Sequence, residues 1–186
     1  MRVIGGEFRS RMLKSVPGLD TRPTPGRLRE ALFNVLAPRI AGTVFADLYA
    51  GTGAVGLEAL SRGARHALFV EISRAAVGVI RQNLRSLDVA ARAEVRQGKV
   101  ATLAGSIQAD IVFLDPPYDR QVEYETVLAA LGQRPPVLVP ALVIVQHDVR
   151  VKLAAGYGAL LHTRLLRQGD NCLSIFAGGA RRPFPG

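Results

Sequence analysis

The hexapeptide Gly51-Thr52-Gly53-Ala54-Val55-Gly56 narrows the possible folds more than any other feature of this chain. It follows an apolar run over 44–49 that reads as a β-strand. It opens a helical pattern over 54–62 that Gly63 stops. A Gly-x-Gly-x-x-Gly run in that setting is a strand-to-helix turn where a ligand can reach bare backbone. Glu71 lies in the next strand pattern, 67–72, twenty positions after Gly51. A carboxylate there can accept both hydroxyls of a ribose, so the pair points to a cofactor containing adenosine. The glycines alone leave open a nicotinamide dinucleotide or S-adenosylmethionine. Asp47, four residues before Gly51, adds a second carboxylate at the strand's end. A negative charge suits a cationic sulfonium or ammonium better than a pyrophosphate, which favours S-adenosylmethionine.

The alternation of strands and helices continues along the chain. Ser73 can cap a helix whose apolar face is Val77, Ile80, Leu84 and Leu87; Asn83 on that helix is read as a surface residue. A short strand over 92–96, a short helix over 100–104, a buried-type strand over 110–115, a helix over 122–131 and an apolar strand over 141–147 follow. This order predicts a mostly parallel sheet with helices on both faces. The ending differs. Runs over 159–166 and 172–177 flank the polar loop Arg167-Gln168-Gly169-Asp170-Asn171, which suits an antiparallel hairpin. At the other end, 2–5 and 11–16 read as a hairpin around Gly5-Gly6-Glu7-Phe8. Two prolines make Arg22-Pro23-Thr24-Pro25-Gly26 a loop, and Leu28, Ala31, Leu32, Val35 and Leu36 mark a helix ending near Pro38.

With 186 residues, 48% of them hydrophobic, the chain suits one domain or a domain with a small appendage. Its longest apolar run, 137–145, contains Pro140 and is far short of the roughly 20 residues a membrane span needs. The first residues carry no long apolar core, so no secretory signal is expected. The single cysteine, Cys172, excludes an internal disulfide and a cysteine-rich metal site, and reads as a small core residue in a reducing cytoplasm. His66, His147 and His162 show no ligand spacing, so no metal is expected.

The net charge of +9 sits at the ends. Residues 1–30 carry seven basic side chains against three acidic, residues 150–186 six against one, and the middle is balanced at 11 of each. Arginine forks match phosphate oxygens, so the ends suggest nucleic acid. Only three of the 24 basic residues are lysine, a bias that genome composition alone can produce.

Asp115-Pro116-Pro117-Tyr118 ends the strand over 110–115. Ligands of open parallel sheets bind beyond the carboxyl ends of the strands, so Asp115 is expected to open into the same cleft as Gly51. The prolines stiffen the turn and leave fixed carbonyl acceptors; Tyr118 offers a face on which a base can stack. An exocyclic amine on a nucleobase is a poor nucleophile because its lone pair is delocalised. Asp115 and the Pro116 carbonyl can hold its N–H bonds and aim that lone pair at a methyl carbon, so catalysis would be mostly orientation and electrostatics.

The stretch from Asp47 to Ala64, with Asp115-Pro116-Pro117-Tyr118, resembles the RsmD family of S-adenosylmethionine-dependent guanine-N2 methyltransferases of small-subunit (16S) ribosomal RNA. Arg2-Val3-Ile4-Gly5-Gly6, Arg22-Pro23-Thr24 and the run from Arg27 to Asn34 are similar to it as well. The resemblance implies a Rossmann-like, seven-stranded methyltransferase sheet ending in the hairpin. It implies an N-terminal hairpin and helix extension over 1–38 that helps hold RNA, and a catalytic domain over 39–186. Catalysis is expected from Asp115, Pro116, Pro117 and Tyr118. Cofactor binding is expected from Asp47, Ala50, Gly51, Thr52, Gly53 and Glu71. The family often places a polar side chain where this sequence runs Gln97-Gly98-Lys99-Val100, so backbone groups of Lys99 or Val100 are the expected partners of the adenine. RNA contacts are expected from Arg9, Arg11, Lys14, Arg22, Thr24, Arg27 and Arg29. Gly26 stands where the family often has an acidic residue. The implied partner is ribosomal RNA within an assembled or assembling small subunit, met in the cytoplasm by a monomer, with no membrane involved. The same Asp-Pro-Pro-Tyr would also serve an adenine-N6 or cytosine-N4 methyltransferase. A nicotinamide oxidoreductase and a non-catalytic RNA-binding module are the rivals of other classes.

Overall fold

Five short strands rich in Val, Ile, Leu and Phe pair in parallel: Val44–Leu48 (β1), His66–Glu71 (β2), Ala93–Gln97 (β3), Ile111–Leu114 (β4) and Leu142–Asp148 (β5). β4 is buried at every position, as strands covered on both faces must be. Gly156–Tyr157 (β6), Leu160–Gln168 (β7) and Asn171–Gly178 (β8) complete the sheet, with β8 antiparallel to β5 and β7. The computed structural model describes residues 1–16, 26–117 and 121–178. The strand order is β3-β2-β1-β4-β5-β8-β7-β6. The order reverses between β1 and β4, and the crevice beyond the carboxyl ends at such a reversal is where open α/β sheets bind ligands.

Among the described residues five α-helices connect or cover the strands: Gly26–Leu36 (α1), Ala54–Ser61 (α2), Arg74–Ser86 (α3), Val100–Leu103 (α4) and Gln121–Gly132 (α5). α1 is too short to be stable alone. Leu28, Leu32, Phe33 and Leu36, each at most 1% exposed, hold it against Phe45 of β1 and Phe113 of β4. Ser73 caps α3, its hydroxyl accepting from the Ala76 N–H at 3.4 Å. All eight residues of α2 are buried. The sheet covers one side of it. The N-terminal arm, residues 1–16, covers another, because Val3, Phe8 and Leu13 share a core cluster with Leu57, Leu60 and Phe69.

Three details differ from the sequence expectation. The terminal loop is tighter than five residues: Gln168 pairs with Asn171, and Gly169 turns the chain at φ 62°, a left-handed angle that suits a two-residue hairpin. The short β6 adds an eighth strand to the seven expected; at two residues it is too short to leave a period in the sequence. The N-terminal hairpin reduces to one bridge, Arg2 to Met12, flanked by the Leu13 N–H donating to the Met1 carbonyl at 2.8 Å. Cys172, 1% exposed, is a core residue as expected. His147 is buried, within 2.8 Å of the Ser174 hydroxyl, and His162 meets the Phe176 ring edge-on.

Candidate active site

Beyond β1 the chain turns through Tyr49, Gly51 and Gly53, all at positive φ (63°, 54° and 78°). Two glycines meet that demand without strain; Tyr49 meets it at a cost of about 1–2 kcal/mol. Asp47 reaches across the turn, and its Oδ2 accepts from the Gly56 N–H at 2.8 Å in the first turn of α2, where backbone donors lack helical partners. Glu71 accepts from the Gly51 N–H through Oε2 and from the Ser73 N–H through Oε1, both at 2.8 Å. Each carboxylate oxygen has a further lone pair, so Glu71 can keep both bonds and still accept from hydroxyls. A Cβ on Gly56 would lie 2.3 Å from the Phe69 ring, so this glycine lets α2 approach β2. A Cβ on Gly51 would meet nothing within 4 Å, which leaves open room beside the turn.

Asp115 follows β4 on the other side of the reversal. Its N–H donates to the Leu48 carbonyl at 3.4 Å, so the Asp115-Pro116-Pro117 corner starts against the strand end that launches the glycine turn. Pro116 is buried and Pro117 exposed. Burial pushes the Asp47 carboxyl well above its usual range; the Gly56 N–H opposes this, and the Asp115 and Glu71 carboxylates add to the rise. Three carboxylates from three strand ends therefore share one electrostatic neighbourhood. Tyr118 lies outside the described residues. A link the sequence did not suggest runs across the two corners: the Tyr49 hydroxyl donates to Glu123 Oε2 in the first turn of α5. Ile72, 57% exposed, follows Glu71 at the rim. Lys99 precedes α4 and is exposed, while Val100, which opens it, is buried.

The expected RNA contacts divide. Arg9, Arg11, Lys14 and Arg27 are exposed, and Arg11 also donates to the Ser86 carbonyl at 2.8 Å. Arg22 and Thr24 lie outside the described residues. Arg29 departs from the expectation. It is 3% exposed, donates to the Arg2 carbonyl at 2.8 Å, and lies 4.0 Å from Glu58. Its charge is turned into the fold, where Glu58 offsets part of the burial that lowers its pKa. Glu58, wholly buried, also accepts from the N–H groups of Ile4 and Gly5 and from Arg62, all at 2.8 Å.

Asn83 is not a surface residue. It is fully buried, and its Oδ1 accepts from the Lys14 N–H at 2.8 Å. Its Nδ2 donates to the carbonyls of Lys14 at 3.2 Å and Thr52 at 3.3 Å. One amide thus ties the arm to the glycine turn. The available signal was its place on the apolar stripe, between Ile80 and Leu87, where an amide needs an internal partner.

A family model described as "Conserved hypothetical protein 95" matches residues 1–177. The chain belongs to this family, the RsmD family. This RsmD-family protein is 33% identical over 181 residues to YlbH of Bacillus subtilis (strain 168), named as a candidate rRNA methyltransferase; the match covers 95% of this chain and 98% of that one. It is 41% identical over 128 residues to "Ribosomal RNA small subunit methyltransferase D" of Escherichia coli (strain K12), covering 68% of this chain and 65% of the relative. The solved structure of yhhF from Escherichia coli, named as a candidate methyltransferase, superposes with a TM-score of 0.83 at 33% identity, covering 97% of this chain and 99% of that one. The RsmD-family chain has the α/β fold of S-adenosylmethionine-dependent methyltransferases, with the mostly parallel sheet and antiparallel ending described above. No helix among the described residues is long and apolar enough to cross a membrane.

Proposed function

We propose that this enzyme methylates the exocyclic N2 amine of a guanine in small-subunit (16S) ribosomal RNA, with S-adenosylmethionine as methyl donor. The observation that carries the reading is the contact between the Asp115 corner and the end of β1, which joins an amine-binding corner to a glycine turn across the sheet's reversal. The fit of an adenosine is supported by the open space at Gly51 and by Glu71, whose oxygens keep accepting capacity beside it.

In this reading the turn over Ala50, Gly51, Thr52 and Gly53 receives the amino-acid end of the donor. Glu71 accepts from the ribose hydroxyls, Ile72 gives the adenine an apolar face, and the backbone of Lys99 and Val100 meets its edge. Asp47 acts from below by holding the turn at Gly56. When bound, the donor supplies a methyl group on a positively charged sulfur. Asp115 and the Pro116 carbonyl accept the two N–H bonds of the guanine amine and so aim the nitrogen lone pair. Tyr118 stacks on the base. With its lone pair so aimed, the amine nitrogen would take the methyl group in exchange for the carbon–sulfur bond of the donor, and would then release one proton to solvent. A paired guanine hides its amine, so the target base must be in a loop or turned out of its helix. The arm and α1, within residues 1–38, would hold the flanking RNA through Arg9, Arg11, Lys14, Arg22, Thr24 and Arg27. A monomer acting in the cytoplasm on an assembled or assembling subunit completes the reading; the names of the Bacillus and Escherichia relatives support the substrate class.

The test is methylation of small subunits, protein-free 16S RNA and DNA with isotopically labelled donor, followed by nucleoside identification. N2-methylguanosine in the RNA is expected. N6-methyladenosine or N4-methylcytidine would replace the guanine assignment, and donor binding without transfer to any of the three would remove the catalytic one.

A further inference from the structure

We propose that α3 is a phosphate track on which Arg74, Arg81 and Arg85 hold the backbone of the target RNA, an inference that rests on the rRNA methyltransferase reading. Spacings of seven and four residues bring the three onto one helical face. The buried side of the helix is taken by Ala76, Val77, Val79, Ile80, Asn83 and Leu84. All three arginines are exposed, and none of their side chains makes a hydrogen bond or ion pair among the described residues. The helix contains no carboxylate. Arg74 stands in its first turn, where the helix dipole disfavours a cation, so it is not there to stabilise the helix.

The arm extends the track. Lys14 is bound at Asn83, Arg11 donates to the Ser86 carbonyl, and Val16 packs on Ala76 and Val79. The arm therefore runs beside α3, from its last turn towards its first, and α3 begins two residues after Ile72 at the rim of the cofactor corner. From Arg74 to Arg85 the cationic line spans about 16 Å. The formal neutrality of the middle of the chain hides this surface, because Asp47 and Glu58 are buried and cannot neutralise it. An RNA backbone fits better than a protein. Between Arg74 and Ser86 no large apolar side chain is exposed to anchor a protein interface, whereas guanidinium forks match phosphates.

The test is the triple variant Arg74→Gln/Arg81→Gln/Arg85→Gln, with Arg164→Gln, exposed on β7, as control. Binding to protein-free 16S RNA and to small subunits is measured across a salt series, alongside thermal unfolding, donor Kd and the split of KM from kcat. The triple variant should unfold and bind donor like wild type. Its RNA affinity should fall roughly tenfold or more at moderate salt, and its salt slope should shrink by about two, since each single-stranded phosphate contact contributes about 0.7. KM should rise with kcat kept, and the Arg164→Gln control should match wild type. An unchanged slope overturns the proposal. So does a loss seen only with subunits, which would assign the face to a ribosomal protein. So does an equal loss in the Arg164→Gln control. Wild-type protein with no affinity for any RNA overturns both the track and the reading beneath it.

Discussion

At the glycine corner, side chains reach in from elsewhere to tie the backbone: Asp47 to Gly56, Glu71 to Gly51 and Ser73, Asn83 to Thr52. At the Asp115 corner the chain is held by the covalent stiffness of Pro116 and Pro117, by the long bond from Asp115 to Leu48, and at its flank by Tyr49 and Glu123. The first corner fixes its own turn before a ligand arrives, which lowers the ordering cost of binding. The second leaves Asp115 half-buried, and in the proposed function this is the carboxylate that meets the incoming base. Under the proposed function this difference becomes a division of labour, with donor affinity set at one corner and transfer rate at the other.

The sharpest way to break that division is Asp115→Ala. Methyl transfer should fall by about a hundred- to a thousandfold, while calorimetry returns a donor Kd within a few fold of wild type. Donor affinity collapsing along with rate would show that the corners are not separable. Next is Asn83→Ala, which strips the Lys14 N–H and the Thr52 carbonyl of a buried partner. A loss of about 1–3 kcal/mol is expected, or roughly 2–4 °C in Tm per kcal/mol for a chain of this size, with weaker donor binding. Unaltered melting and donor Kd would mean that the arm and the turn are held independently.

Tyr49→Phe tests the bridge between corners. It removes one hydroxyl, worth about 1 kcal/mol, and should slow turnover several-fold with donor Kd kept; a change in Kd alone would reassign Tyr49 to the glycine corner. The smallest effect is expected from Asp47→Asn. Burial holds the Asp47 carboxyl above its unfolded value, so its contribution to folding stability is full below the ordinary carboxylate range and is lost as pH rises through the raised value. The amide keeps an acceptor for the Gly56 N–H and cannot ionise. The variant's unfolding midpoint should therefore depend less on pH than wild type's, and two parallel profiles would show that Asp47 is not the titrating group.

Much of the fold was readable from local pattern. The parallel strands, the cap at Ser73 and the glycine turn each follow from short-range periodicity and from glycine's freedom at Gly51 and Gly53. The polar anchors were not readable. Asn83 finds Lys14 at 69 residues' separation, Glu58 finds Gly5 at 53, and Tyr49 finds Glu123 at 74. No spacing rule spans such distances. Arg29 departs from its sequence pattern for the same reason. Among so many arginines it resembled a phosphate ligand, and only the nearness of Glu58 and the Arg2 carbonyl turned it inward.

The sequence by itself determined the order of the parallel strands and their helices, the position of the glycine turn and the Asp115 corner, and the family, because periodicity and motif are written in neighbouring residues. Tertiary structure alone decided which charges face solvent. Packing buried Asp47, Glu58 and Arg29 and left Arg74, Arg81 and Arg85 outside, since a charge enters the interior only where partners from distant parts of the chain converge to repay its lost hydration.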